Sequence, residues 1–191
     1  LPHIHQSNIQ PKIGLDFKYL LHTILRQDPD IIMLGEIRDK ETTQLAIQAA
    51  LTGHLVFSTL HTNDSATAIP RLIDLGAEPF LIASVLSAVI AQRICRKVCQ
   101  NCSRTYEPVP EVKENIKSVL GSFFPKIYET KPLKLVKGEG CHECNQSGYL
   151  GRIAIFEVLK VTPTINKMIL QQESAKELEE IAKKEGLIMM K

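Results

Sequence analysis

Two short apolar runs separated by a helical pattern organise the first part of the chain. They occupy residues 31–34 (IIML) and 55–59 (LVFST), and such runs are typical of parallel strands that are buried on both faces. The segment between Asp16, a suitable N-cap, and Arg26 precedes the first run and has apolar residues at helical spacing. The same spacing recurs over residues 40–51. This order predicts a βαβ unit, and therefore an α/β fold with helices flanking a parallel sheet.

Helical patterns continue beyond the second predicted strand. Asp64 is a suitable N-cap for a helix that ends near Gly76, and residues 78–93 have apolar side chains at helical spacing. The pattern of residues 163–184 predicts one or two surface helices that are rich in Glu and Lys.

Composition narrows the classes of function. The chain has 191 residues, of which 44% are hydrophobic, so it is large enough to bury a core. Its 23 basic and 21 acidic residues leave a net charge of +2, and the basic residues form no long run. A dedicated nucleic-acid-binding surface is therefore not expected. Because no apolar stretch reaches about 20 residues, the sequence also predicts no transmembrane helix.

The strongest chemical signal is a pair of Cys-x-x-Cys motifs, Cys99 with Cys102 and Cys141 with Cys144. Each motif presents two thiolates in a tight turn, and two such turns complete a tetrahedral structural zinc site. Free buried cysteines or a redox pair are the alternatives. The fifth cysteine, Cys95, could replace Cys99 as a ligand, but its spacing to Cys102 is too long for such a turn.

Another possible ligand is His142, which lies inside the second motif and which we expect to face solvent. All the cysteines fall within residues 94–160. We expect this segment to be a zinc-binding subdomain inserted between a core at residues 1–93 and a helical segment at residues 161–191.

A carboxylate follows the first predicted strand. Glu36 lies at the carboxyl end of this strand, where parallel α/β sheets bind ligands and where a carboxylate can orient Mg²⁺ or an attacking water. Many strands end in Glu, so a surface carboxylate is an equally simple interpretation. His54 opens the next strand and His61 follows it, and of the two we expect His61 to face the ligand.

Three segments resemble the type II secretion and type IV pilus assembly ATPases. Residues 24–39 (ILRQDPDIIMLGEIRD) are similar to the Walker B region of that family, with Gly35 where an Asp usually precedes the Glu. Residues 51–63 (LTGHLVFSTLHTN) resemble its His box. The two cysteine motifs, followed by residues 148–152 (GYLGR), resemble its tetracysteine metal subdomain. The resemblance covers nearly the whole chain and implies a partial RecA-like P-loop NTPase core.

The resemblance also implies roles for individual residues. Glu36 would be the catalytic glutamate, and His54 and His61 would be the His-box residues, with Glu36 and His61 facing the nucleotide. Arg26 and Arg38 would match basic residues that act near the phosphates or across a subunit boundary. The cofactors implied are structural Zn²⁺, and ATP with Mg²⁺ in the longer protein.

The two arginines also have a simpler interpretation, and one arginine that is common in the family is absent here. Surface salt bridges of Arg26 with Asp28, or of Arg38 with Asp39, would explain them without a catalytic role. The family often has a further Arg one helical turn before Arg26, where this chain has His22.

The implied protein is a homo-hexamer that hydrolyses ATP to drive secretion or pilus assembly. It would work with an inner-membrane platform protein and cytoplasmic adaptors, and would be cytoplasmic and peripheral at the inner membrane. The 191 residues contain no Gly-x-x-x-x-Gly-Lys-Ser/Thr motif, so we expect them to be inactive alone.

Two other assignments account for parts of the sequence. Retraction ATPases of type IV pili lack the tetracysteine insertion, which disfavours them. A zinc-ribbon module that binds protein or nucleic acid is the alternative from another functional class.

Overall fold

The computed structural model describes residues 4–190, without the side chains of Pro11 and Ser122. These residues form two compact units, one made of the residues up to 91 with 157–189, the other of residues 92–156 with Met190. The helices of the described residues are α1 (Phe17–Leu25), α2 (Lys40–Leu51), α3 (Ala68–Asp74), α4 (Pro79–Val85), α5 (Pro110–Leu120), α6 (Ile127–Thr130), α7 (Pro163–Leu170) and α8 (Ala175–Lys184).

The described strands pair two by two. They are β1 (Ile31–Met33) with β2 (Leu55–Phe57), β3 (Ala88–Val98) with β6 (Tyr149–Lys160), and β4 (Ser103–Tyr106) with β5 (Leu135–Gly138). The β1–β2 pair is parallel, with Ile32 opposite Val56, and the β4–β5 pair is antiparallel. Helix α2 connects the two parallel strands, so the predicted βαβ unit and the α/β class are confirmed.

Side-chain caps fix where the first helices begin. A carboxylate oxygen of Asp16 accepts a hydrogen bond from the Tyr19 N–H at 2.8 Å, which confirms the predicted cap of α1. Asp39 caps α2 in the same way. Asp64 instead accepts from the Thr67 N–H at 2.9 Å and closes a turn, so α3 begins later than the sequence predicted.

Burial of the parallel strands differs from the expectation. Ile32 and Leu34 are buried against α1 and α2, but Met33 on the opposite face of the sheet is 77% exposed and Phe57 is 51% exposed. The prediction that both faces are buried is therefore wrong for the described residues, which supply covering helices for one face only.

The predicted helix over residues 78–93 is also corrected. Helix α4 ends at Val85, and the chain continues as strand β3 from Ala88. The apolar spacing continues through Val89 and Ile90, which explains the helical prediction, but both residues are β-branched and favour an extended chain. Pairing of β3 with β6 satisfies the backbone of this segment.

The C-terminal helices contribute to the core. Ile165 and Ile169 of α7 and Leu178 of α8 are each 0–1% exposed, and they pack with Ile69 and Ile82. The two predicted surface helices are therefore amphipathic, with polar outer faces and buried apolar stripes. Across residues 4–190, the structure has no helix that is long and apolar enough to cross a lipid bilayer.

Candidate active site and metal centre

The carboxyl ends of β1 and β2 bring Glu36 and His61 to one edge of the parallel pair. Backbone bonding continues past the strands: the Leu34 N–H donates to the Phe57 carbonyl at 2.8 Å, and the Ile37 N–H donates to the Thr59 carbonyl at 2.9 Å. These bonds hold the two loops side by side. Glu36 and His61 therefore share an edge because parallel strands place their carboxyl ends together.

Glu36 is held by two neighbouring side chains. Its Oε1 lies 2.6 Å from Nη2 of Arg38, and its Oε2 lies 2.8 Å from Nε2 of His61. The side chain of Glu36 is 31% exposed, whereas those of Arg38 and His61 are 71% and 82% exposed. The carboxylate is thus fixed in direction while one side of the cluster stays open to solvent.

Electrostatics favour the ionised form of this carboxyl group. The hydrogen bond from Arg38 is the largest cause that lowers the pKa of Glu36 below its usual value, and the bond to His61 lowers it further. The same pairing raises the pKa of Arg38. Glu36 is therefore a carboxylate at neutral pH that can accept a proton or a hydrogen bond from a water molecule.

Two predicted site residues lie elsewhere. His54 precedes β2, at the opposite end of the strand from His61, and its Nδ1 lies 3.0 Å from the Ala49 carbonyl at the end of α2. Arg26 is the C-cap residue of α1 and is exposed. The structure thus unites Glu36 and Arg38 with His61, but it does not bring His54 or Arg26 to them.

The salt-bridge alternatives for the arginines are not what the structure shows. Arg38 pairs with Glu36 rather than with Asp39, whose carboxylate caps α2. Among the described residues, Arg26 makes no salt bridge with Asp28.

A buried carboxylate beside the His61 loop (residues 60–64) was missed from the sequence. Glu157 on β6 is 1% exposed, and its Oε1 accepts hydrogen bonds from the backbone and the hydroxyl of Ser65. The signal was available, because Glu157 is the one charged residue in the apolar run 153–159 (IAIFEVL). A charge in such a run marks a buried polar contact.

The four predicted cysteine ligands converge. Their sulfur atoms all lie within 4.8 Å of one another, and the Cys99–Cys141, Cys102–Cys144 and Cys141–Cys144 pairs are 3.8, 3.8 and 3.7 Å apart. Sulfur atoms at about 2.3 Å from one tetrahedral zinc ion would lie about 3.8 Å apart, whereas a disulfide needs about 2.05 Å. The donor set and its spacing fit a Zn²⁺ ion.

Backbone amides prepare one of these thiols for a metal. Burial opposes ionisation of Cys144, but hydrogen bonds from the N–H groups of Cys141 (3.2 Å) and Gly148 (3.3 Å), together with those from the thiols of Cys141 and Cys102, lower its pKa to about 6. Burial raises the pKa of Cys102 to about 11. Cys144 is therefore the first of the two to become a thiolate, the form that binds metal.

The two alternative ligands stay outside the cluster. Cys95 is exposed on β3, and His142 is exposed beside the second motif as expected. The metal-binding group found among residues 4–190 consists of the four predicted cysteines.

Comparison with known families decides where this chain belongs. The model of the type II/IV secretion system protein family matches residues 1–191. The chain is a member of this family. The predicted resemblance to secretion and pilus assembly ATPases is thereby confirmed.

Individual members of the type II/IV secretion system family are similar over most of this chain. It is 46% identical over 187 residues to the type IV pilus assembly ATPase PilB of Thermus thermophilus, covering 98% of the chain and 20% of PilB. It is 43% identical over 179 residues to the type II secretion system ATPase E of Vibrio cholerae, covering 92% of the chain and 33% of the relative. The chain therefore spans only a fifth to a third of the length of these relatives.

Solved structures agree in fold. The ATPase DotB of Yersinia pseudotuberculosis matches with a TM-score of 0.60 and 22% identity, covering 95% of this chain and 36% of DotB. The pilus retraction motor PilT with bound ADP matches with a TM-score of 0.50 and 25% identity, covering 93% of this chain and 43% of PilT.

Proposed function

We propose that this chain forms part of an ATPase that powers type II protein secretion or type IV pilus assembly. The observation that carries the proposal is the Glu36 carboxylate, which Arg38 and His61 hold at the carboxyl edge of two parallel strands. The names of the relatives, a pilus assembly ATPase and a secretion ATPase, support the same activity. On this proposal, residues 1–93 belong to a RecA-like core.

Glu36 is the residue that acts on the attacking water. As a carboxylate it accepts a hydrogen bond from the water and orients the oxygen towards the terminal phosphate. A carboxylate oxygen also suits Mg²⁺, which neutralises phosphate charge when Mg·ATP is bound. His61, hydrogen-bonded to Glu36, senses the state of the nucleotide and transmits it to the loop that follows β2.

The arginines supply positive charge. Arg38 lies next to Glu36 and stabilises charge on the transferring phosphoryl group. Arg26 is exposed at the end of α1, where it acts across a subunit boundary. His54 takes a supporting part by joining the end of α2 to the start of β2.

Residues 94–160 form a zinc-binding subdomain, and residues 161–191 form a C-terminal helical segment. A zinc ion held by the four cysteines would be structural, because their thiolates would complete its coordination and leave no position open for a substrate. The tetracysteine site favours an assembly or secretion ATPase over a retraction ATPase.

Oligomer, partners and location extend the same proposal. The longer protein is a homo-hexamer that works at the cytoplasmic face of the inner membrane with a platform protein and cytoplasmic adaptors. The relatives that are named for pilus assembly and type II secretion support this placement. The 191 residues alone hydrolyse ATP negligibly, since they contain no Gly-x-x-x-x-Gly-Lys-Ser/Thr motif for the phosphates.

A chimera tests the function directly. The region of Thermus thermophilus PilB that aligns with this chain is replaced by the chain, which is 46% identical over 187 residues. Phosphate release at saturating Mg·ATP is then measured for the chimera, for PilB and for the 191 residues alone. We expect turnover from the chimera and none above background from the chain alone. A folded, nucleotide-binding chimera without turnover contradicts the proposed activity, and turnover by the chain alone contradicts its expected inactivity.

A further inference from the structure

Glu157 occupies a position on β6 that the pattern of the strand assigns to the core. Glu157 and Leu159 are each 1% exposed, whereas Phe156 and Val158 on the other face of the strand are exposed. An apolar residue at position 157 would match its neighbours. Removing a carboxylate from water is unfavourable unless hydrogen bonds compensate, so the hydrogen bonds that Glu157 accepts point to its role.

Two hydrogen bonds of Glu157 lie at the end of the His61 loop. Oε1 of Glu157 accepts from the Ser65 backbone N–H at 3.0 Å and from the Ser65 hydroxyl at 2.5 Å. Ser65 is itself 0% exposed. Two donors of one buried residue thus bind one carboxylate oxygen, which fixes both the backbone and the side chain of Ser65.

The start of the same loop is also fixed. The Thr59 hydroxyl donates to the Gly35 carbonyl at 2.8 Å, and the Thr59 carbonyl accepts from the Ile37 N–H at 2.9 Å. Residues 60–64 therefore connect an anchor beside Glu36 to an anchor at Glu157. His61 lies between the anchors, and its ring is 82% exposed, so packing around the ring does little to determine its position.

We propose that Glu157 is a positioning residue for His61: by binding Ser65 it holds the 60–64 loop in the conformation that places the imidazole against Glu36. The proposal rests on the proposed function for its significance, because it makes Glu157 part of the support of the nucleotide-facing cluster. The charge of Glu157 matters, since hydrogen bonds to a carboxylate are about twice as strong as those to a neutral acceptor.

The test uses NMR of the folded 191-residue chain. Glu157→Gln keeps the shape and an acceptor oxygen but removes the charge, and Ser65→Ala removes the hydroxyl donor. Ring ¹H–¹³C resonances of His61 are compared at one pH, with His54 as an internal control because it binds the Ala49 carbonyl at the other end of β2. Glu36→Gln supplies the reference spectrum of a His61 ring whose charged partner is gone.

We expect Glu157→Gln and Ser65→Ala to shift the His61 resonances towards those of the Glu36→Gln chain, while the His54 resonances stay in place. If either folded variant lowers the melting temperature but leaves His61 unmoved, Glu157 serves packing only and the proposal is wrong. Where Glu157→Gln fails to fold, Ser65→Ala decides.

A His61 spectrum that Glu36→Gln leaves unchanged also overturns the proposal, because the loop then holds no Glu36–His61 pair. The proposed ATPase function is judged separately by phosphate release from the chimera. A failure of one is therefore distinguishable from a failure of the other.

Discussion

Replacing Gly138 with alanine should disrupt the metal centre through a backbone contact. A Cβ atom at Gly138 would lie 1.9 Å from the carbonyl oxygen of Gly148, whereas real Cβ atoms keep at least 3.0 Å, so the two segments must separate by more than 1 Å. That carbonyl accepts from the Cys99 N–H at 3.0 Å, and the Gly148 N–H donates to the Cys144 sulfur at 3.3 Å. Separation therefore displaces the surroundings of two zinc ligands.

The cost follows from these contacts. Overpacking a tight site costs about 1–3 kcal/mol, and weakening one backbone hydrogen bond adds about 1 kcal/mol. Because zinc binding is coupled to folding in such sites, a total of about 3 kcal/mol corresponds to roughly a hundredfold weaker apparent zinc affinity.

Competition between the chain and a chromogenic zinc chelator measures this loss. Gly35→Ala is the matched control, since Gly35 has no positive φ and a Cβ there meets nothing within 4 Å. We expect Gly138→Ala to lose zinc at chelator concentrations that leave the control loaded. Equal zinc affinity of the two variants would refute the reasoning about this close approach.

Further predictions concern the metal ligands and the carboxylate cluster. Metal analysis should give one zinc per chain, which Cys144→Ser loses and the exposed control Cys95→Ser retains; a folded wild-type chain without metal would refute the zinc site. The apparent zinc affinity of the wild-type chain should fall more steeply once the pH drops below about 6, because protons, which already compete for Cys102 at higher pH, then also compete for the Cys144 thiolate. Since Arg38 lowers the pKa of Glu36, their pairing stabilises the fold above the usual carboxyl pKa and is lost as the pH falls through the lowered value. Arg38→Gln should therefore raise the pKa of Glu36 in a ¹³C carboxyl titration while the pKa of Asp39 stays unchanged; an unmoved Glu36 would contradict the pairing.

Much of the site was accessible from the sequence because its geometry follows from topology. Two apolar runs joined by a helix predict parallel strands, and parallel strands place Glu36 and His61 at one edge. The cysteine motifs are similarly informative, because each Cys-x-x-Cys turn determines the spacing of its own two sulfur atoms.

Other features depend on tertiary contacts that local patterns do not contain. The segment after Val85 has helical spacing of apolar residues, yet pairing with β6 makes it a strand. The exposure of Met33 depends on which residues cover the sheet, and the spacing of apolar residues within the run does not predict that coverage. Ser65, which donates hydrogen bonds to Glu157, is 92 residues away in sequence, so the apolar run around Glu157 does not predict this contact.

Replacement of Glu36 in the PilB chimera tests the central claim most directly. Glu36→Gln preserves size and removes the carboxylate that would act on water, and Glu41→Gln, on the exposed face of α2, is the matched control. Phosphate release should fall by about 10²–10⁴-fold in Glu36→Gln, the usual contribution of a general base, while nucleotide binding persists and the control keeps full turnover. Undiminished phosphate release from the Glu36→Gln chimera would contradict the account.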